Sequence, residues 1–331
     1  MLILSKIYNF LLSIFIIYLL LLLPSDLLWD RENYLNYAEN SDLILSSYDS
    51  FFQLMFNDYF FLKINHFMSY FFTPINVINF FLVSSLSLYF YLISKYSINS
   101  LCFTIGIFLS ILIVPILHLE VVAIRQFMAT IVALFALSFF NNRNKILILL
   151  IISALIHSSF FVFLVLFIFD SFIADKFHKN KRFILNLLFI VFLASTYIII
   201  GQILGVRQVE LYSSYTGDVG GGSFFIAFVM FIYLFFYYGS VNNKYLYAFV
   251  LNGIVLFMVF YFTANVSVSA RFLSSVFPAF ILLLVSKFRR VDVFICLLLI
   301  LAYGFVWFKG GQYMIFEVSK YQIEQYFLEK L

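Results

Sequence analysis

Long apolar runs separated by short polar breaks set the pattern of this chain. Leu, Ile, Phe and Val dominate residues 7–23, 75–94, 98–117, 121–140, 145–169, 183–205, 224–238, 245–263, 272–286 and 291–308. About 20 such residues in helical form cross the hydrocarbon of a bilayer. The pattern therefore predicts an all-α polytopic membrane protein with about ten hydrophobic segments. No repeat or soluble domain interrupts them, so residues 1–331 read as a single transmembrane domain. The first run is expected to be an uncleaved span, because Pro24-Ser25-Asp26 follow it instead of a small-residue cleavage site. Two polar stretches exceed simple connectors. Stretch 24–74 carries Phe51-Phe52 and Tyr59-Phe60-Phe61, which predict helices along the interface. Tail 309–331 reads as an amphipathic interfacial helix.

Charge adds an orientation. Stretch 24–74 holds seven acids against Arg31 and Lys63, which suits a long extracytoplasmic loop, and Lys95 and the Arg143/Lys145 pair then fall inside. Segment 145–169 creates a conflict. If it crosses once, Lys176, Lys179, Lys181 and Arg182 lie outside, as do Lys287, Arg289 and Arg290. If it breaks at Ile156-His157-Ser158-Ser159 and re-enters, both clusters fall inside, and charge bias favours that hairpin. The outer face then presents loop 24–74, the 117–121 corner, loop 206–223, the 264–271 corner and the tail.

Composition agrees with a membrane protein: 64% of residues are hydrophobic, 11% are charged, and mean hydropathy is +1.05. A soluble domain carries about 25% charged residues. Cys102 and Cys296 both sit in apolar runs and read as packing residues.

Ionisable groups near membrane depth are costly and mark candidate sites. Arg125 shares a helical face with Ala129, Ala133 and Ala136, which points it into the bundle beside Gln126. The alternative is an arginine reaching for the interface and paired with Glu120. Arg271 opens a late span, with Ser274, Ser275 and Pro278 on its stripe; a salt bridge to an acid of the first loop is its structural alternative. His157 serves either function or hydrogen-bonded packing. Two arginines entering one outer cavity would suit a phosphate or diphosphate, whose oxygens match the guanidinium fork. Asp30, Tyr34 and Tyr37 share one helical side, as a carboxylate beside sugar-stacking rings would, or as a solvated interfacial helix would. Loop 206–223 adds Arg207, Tyr212 and Tyr215 before Gly220-Gly221-Gly222, a candidate mobile connection.

The chemistry that is missing narrows the class. His66, His118, His157 and His178 have no metal-ligand spacing, and no nucleotide-binding loop, serine nucleophile elbow or zinc-protease helix occurs. Without an Asp-x-Asp pair for a metal-chelated nucleotide sugar, any glycosyl donor would be activated as a lipid-linked diphosphate.

One constellation resembles a known family. Ile124-Arg125-Gln126-Phe127-Met128-Ala129 is followed by the basic turn Asn141-Asn142-Arg143-Asn144-Lys145 and by Ala154-Leu155-Ile156-His157-Ser158-Ser159. With Asp30, Tyr34 and Tyr37 after the first span and Arg271 late in the chain, this resembles the EpsG-type, Wzy-like polymerases of O-antigen and exopolysaccharide. Asp49-Ser50-Phe51-Phe52 departs from the acidic-Pro-Gly segment common there.

The resemblance implies a GT-C-like helical bundle in a bacterial inner membrane, needing no metal or other cofactor. Its substrate would be undecaprenyl-diphosphate-linked oligosaccharide. Membrane lipids would surround it, a chain-length regulator and a flippase would be pathway partners, and nucleic acid would not be one. Arg125 and Arg271 would clamp the diphosphate, Asp30 would act as base and His157 would help organise the site. Tyr34, Tyr37, Glu120, Gln126, Arg207, Tyr212 and Tyr215 would line the substrate path. The rival readings are a flippase of lipid-linked sugars, a polysaccharide acyltransferase and a glycosyltransferase adding a single sugar.

Overall fold

A computed structural model describes residues 2–24, 27–48, 50–204, 221–238, 243–263 and 266–316. In chain order its helices are α1 Leu2–Leu21, α2 Arg31–Glu39, α3 Ser41–Ser46, α4 Phe51–Met55, α5 Tyr59–Ser69, α6 Pro74–Tyr96, α7 Ser100–Leu112 and α8 Val114–Val121. There follow α9 Ile124–Phe139, α10 Arg143–Ile156, α11 Phe160–Ile168, α12 Lys179–Ile203, α13 Gly221–Ile232, α14 Lys244–Thr263, α15 Val266–Lys287 and α16 Arg290–Phe308. Among the described residues, β pairing is confined to an isolated bridge between Leu28 and Phe316.

Among the described residues, six helices are long and apolar enough to cross a membrane: Leu4–Leu21, Pro74–Tyr96, Lys179–Ile203, Lys244–Thr263, Val268–Lys287 and Arg290–Phe308. The other four apolar runs differ from simple spans, each for a local reason. Stretch 98–117 becomes α7 and α8, bent by 80°. Pro115 cannot donate a backbone hydrogen bond, and its ring would clash with a preceding carbonyl, so α7 ends before it. The indole of Trp307 donates to the Leu112 carbonyl at 2.7 Å and satisfies one of the freed acceptors. Helix α9 has 16 residues, about 24 Å at 1.5 Å per residue, short of the roughly 30 Å hydrocarbon. Run 224–238 divides into α13 and a π-helical turn, Tyr233–Tyr237.

Segment 145–169 breaks at His157–Ser159. Asn142 caps α10 by accepting the amides of Asn144 and Lys145, and the helix closes on His157, whose backbone is extended. If α10 and α11 were collinear, their 23 residues would set the two ends about 35 Å apart. Instead Arg143 reaches Asp175 at 2.7 Å, so the chain doubles back. Arg143 also donates to the Ser171 carbonyl. Arg182 binds Asp170 at 2.8 Å and Asp175 at 2.5 Å, and Lys244 reaches Asp175 at 3.3 Å. Asn186 donates to Asp170 at 2.7 Å. Asp170, in the π-helical turn Phe169–Ile173, is buried within this network.

The chain packs as two compact units. The first comprises Met1–Ser41, Ile64–Phe127 and Ile281–Leu331. In it α1 lies on α6 and α7, α2 on α6, and α16 on α7 and α8. Polar pins fix the α1 contacts, with Ser5 to Ser100 at 2.6 Å and Asn9 to Ser94 at 3.0 Å. The backbone and indole of Trp29 donate to the carbonyls of Ile315 and Tyr313, tying the entry of α2 to the residues after α16. Of the tail, residues 317–331 lie outside the described residues.

The second unit comprises Asp42–Lys63 and Met128–Phe280. Helix α14 packs on α11, α12 and α13. Gly253 lets α14 approach Val276 closely, because a Cβ there would stand 2.3 Å from the valine Cγ2. Rings fill the remaining space, with Phe272 edge-on to Phe163 and Phe260. The outer faces of many helices stay apolar: Phe10, Leu188 and Leu301 are all largely exposed. Such surface requires lipid, and the chain is a multi-pass membrane protein.

Candidate functional site

Two polar clusters stand out, one in each unit. The first forms where α2 meets the junction of α8 and α9. Asp30 precedes α2 in the left-handed conformation, φ 59°, which Asp tolerates better than most residues. Its carboxylate is exposed and accepts the Asn33 amide at 3.1 Å. Spacings of three place Arg31, Tyr34 and Tyr37 on a common face of α2. Tyr34 is buried and Tyr37 half-buried.

Arg125, in the first turn of α9, meets that face. Its backbone amide donates to the Tyr34 hydroxyl at 3.3 Å, and Nη1 donates to the Tyr37 hydroxyl at 3.4 Å. The guanidinium carbon lies 4.8 Å from the Tyr37 ring centre and 5.8 Å from that of Tyr34, within range of cation–π attraction. Ala129, Ala133 and Ala136 below it are fully buried. Burial pushes the Tyr34 phenol above its ordinary range, while the nearby Arg125 charge opposes that rise. Tyr34 is therefore a neutral hydroxyl at physiological pH.

Arg31 completes the cluster and was not singled out from sequence. It is only 7% exposed and donates to the Val121 carbonyl at the C-terminus of α8, at 3.3 Å. Burial lowers its pKa. Within Asp-Arg-Glu-Asn the residue reads as a surface charge; the signal missed was its shared face with Tyr34.

Glu120 departs from the expected pairing. It is fully buried, and neither carboxyl oxygen has a hydrogen-bond partner. The Ser110 hydroxyl adjoins it but donates to the Ile107 carbonyl at 2.8 Å. The paired form of the Arg125 alternative is thus not the one adopted, because α8 turns the carboxylate into the apolar interior. Gln126 is also buried.

The second cluster is the tip of the α10–α11 hairpin. His157, Ser158 and Ser159 are all buried. The Ser159 amide donates to His157 Nδ1 at 3.4 Å, and the Ser159 hydroxyl lies 2.8 Å from the same nitrogen. A ring that accepts at Nδ1 carries its neutral-form proton on Nε2. Asp58, itself buried and left-handed at φ 65°, accepts the Ser158 amide at 3.1 Å. Phe56 packs on Phe161 with ring centres 4.5 Å apart. Sequence reasoning counted Asp58 only among the acids of a long loop.

Arg271 lies in the same unit but inside α15, which begins at Val266, so it does not open its helix as expected. It is half-buried, and its carbonyl accepts the Ser275 hydroxyl at 3.1 Å. Arg125 and Arg271 fall in different units. Arg207, Tyr212 and Tyr215 lie outside the described residues. Among the described residues, no group of three or more His, Cys, Asp and Glu side chains could hold a metal ion.

The model of the EpsG family covers residues 11–323, while no curated protein and no solved structure matches the chain. That span takes in α2, the Arg125 cluster, the hairpin and Arg271. The chain belongs to the EpsG family, membrane proteins of the exopolysaccharide and O-antigen polymerase type.

Proposed function

We propose that this protein polymerises oligosaccharide repeat units carried on undecaprenyl diphosphate, at the outer face of a bacterial inner membrane. The observation that carries this reading is Arg125 set against Tyr34 and Tyr37, in a chain matched to the EpsG family over nearly its full length. In the reaction, the bond between the anomeric carbon and the diphosphate oxygen breaks. A new bond joins that carbon to the acceptor hydroxyl oxygen, and the acceptor proton passes to a base. The departing diphosphate gains negative charge, which arginines in a water-poor site stabilise strongly.

Arg125 is proposed as a clamp on that leaving group, with Asp30, exposed beside Tyr34, as the base for the acceptor; Arg271, in the other unit, is proposed as a separate catalytic candidate. His157 organises its hairpin tip. Tyr34, Tyr37, Gln126, Glu120, Arg207, Tyr212 and Tyr215 are assigned to the substrate path. No step in this scheme draws on a metal or nucleotide. A flippase and a chain-length regulator would be the partners that deliver the repeats and measure the product.

Chain length on a gel tests the reading. Strains carrying Arg125→Ala or Arg271→Ala should keep a single-repeat product and lose long chains. Normal chain length in both, or absence of any repeat-bearing product at the surface, would overturn it.

A further inference from the structure

Both acids at the mouth of the α10–α11 hairpin are engaged within it. Asp170 is buried and held by Arg182 and Asn186, while Asp175 takes Arg143, Arg182 and Lys244. Arg143 binds one oxygen of Asp175 at 2.7 Å and Arg182 binds the other at 2.5 Å. The starts of α10 and α12 are therefore neighbours. The lysines around them are left over. Lys145, Lys176, Lys179 and Lys181 are exposed, and among the described residues none of them pairs with a carboxylate. Like charges gathered in this way repel one another until an anion meets them.

Two helices show where these charges stand relative to lipid. On α12, Lys181 heads the stripe Ile184, Leu188 and Phe192; on α10, Lys145 heads Ile148 and Ile151. Spacings of three and four put each set on one face. All five apolar residues are exposed, and α12 is long and apolar enough to cross a membrane. A lipid-facing stripe that ends in lysine ends at headgroup depth, where the long stem carries its ammonium to the phosphates. The turn between α11 and α12 adds Phe172, Ile173 and Phe177, exposed on either side of Lys176. Rings interleaved with cations characterise a segment lying in the interface, whereas a solvated basic loop gains nothing from exposed apolar side chains.

We propose that the mouth of this hairpin binds an anionic phospholipid. Its phosphate is held among Lys145, Lys176, Lys179 and Lys181, and Phe172, Ile173 and Phe177 lie against the upper part of its acyl chains. These lysines come from α10, from the turn Ala174–Lys176 and from α12, so one headgroup spans the starts of both helices. Asp175 joins the same two starts from within. The inference is independent of the polymerase reading, because none of these residues belongs to the proposed reaction.

Fluorescence quenching tests it on the full chain in phosphatidylcholine nanodiscs. With Cys102 and Cys296 replaced, His178→Cys carries the dye. The quenchers are phosphatidylglycerol and phosphatidylcholine, each with a nitroxide near the head of one acyl chain. At equal mole fraction phosphatidylglycerol should quench several-fold more strongly, and rising salt should narrow the difference. The combined variant Lys145→Gln, Lys176→Gln, Lys179→Gln and Lys181→Gln should lower that preference by about tenfold. Arginine at the same four positions should keep it.

Equal quenching by the two lipids overturns the proposal and leaves the patch to an acidic soluble partner. An unchanged preference in the folded glutamine variant also overturns it. So does an equal preference with the dye at Val291→Cys, an exposed position at the start of α16, since any basic surface would then attract the lipid. If the glutamine variant does not fold, the arginine variant and the salt titration decide. A preference lost with arginine, or unmoved by salt, rules out a site held by charge.

Discussion

Tyr34 answers to two opposing influences. Burial raises its pKa, and the Arg125 charge limits that rise. Because the folded value lies above the ordinary value of about 10, the neutral phenol is the form the fold favours. Its contribution to stability is complete below that pH and is lost as pH climbs through the folded value. In alkaline titration, the tyrosinate absorbance that disappears in Tyr34→Phe should develop above the ordinary tyrosine range. In Arg125→Gln it should develop later still, because the opposing charge is gone. Earlier ionisation in Arg125→Gln would contradict the arrangement. The residues here were unevenly legible. Arg125 could be found from its apolar surroundings and small-residue stripe, which leave a charge few roles. Arg31 could not, since its burial depends on a partner carbonyl ninety residues away.

At the scale of elements, the hairpin depends on Asp58. A helix break leaves amides without intrahelical partners, and Ser158 finds its acceptor in a carboxylate one hundred residues upstream. Asp58→Ala removes the acceptor and forces a left-handed backbone on a residue that resists it. Thermal unfolding should show a loss of about 1–3 kcal/mol, most of it recovered by Asp58→Asn, which keeps a carbonyl oxygen in place. Equal stability of the alanine and wild-type proteins would show that the tip holds itself. The break was legible, because His-Ser-Ser interrupts an apolar run. Its brace was not, because nothing local in Asn57-Asp58-Tyr59 marks a contact with residue 158.

Across the whole molecule, hydropathy located every long helix but overcounted simple crossings. Proline in α8, the polar tip at His157 and the π-helical turn after α13 divide runs that hydropathy sees as continuous. With the hairpin closed, Arg143, Arg182 and Lys244 share one end of the second unit, as the ion network requires. In a protein with Cys102 and Cys296 replaced, cysteines introduced at Asn144 and at Lys179 should react with an impermeant maleimide from the same side of sealed vesicles. Labelling from opposite sides would mean that the segment crosses once.

The ion network also has an order in time. Asn142 and Arg143 leave the ribosome first, then the apolar hairpin, then Asp170 and Asp175, and only later Arg182 and Lys244. Arg143 can capture Asp175 as soon as the returning limb is made, before either later cation exists. Arg182 then seals the closed form, and Lys244 joins once α12 and α13 have been synthesised. A nascent chain passing the translocon thus meets a choice between threading the segment through and folding it back. The first ion pair is a contact only the fold-back form makes, and each later cation adds another of the same kind.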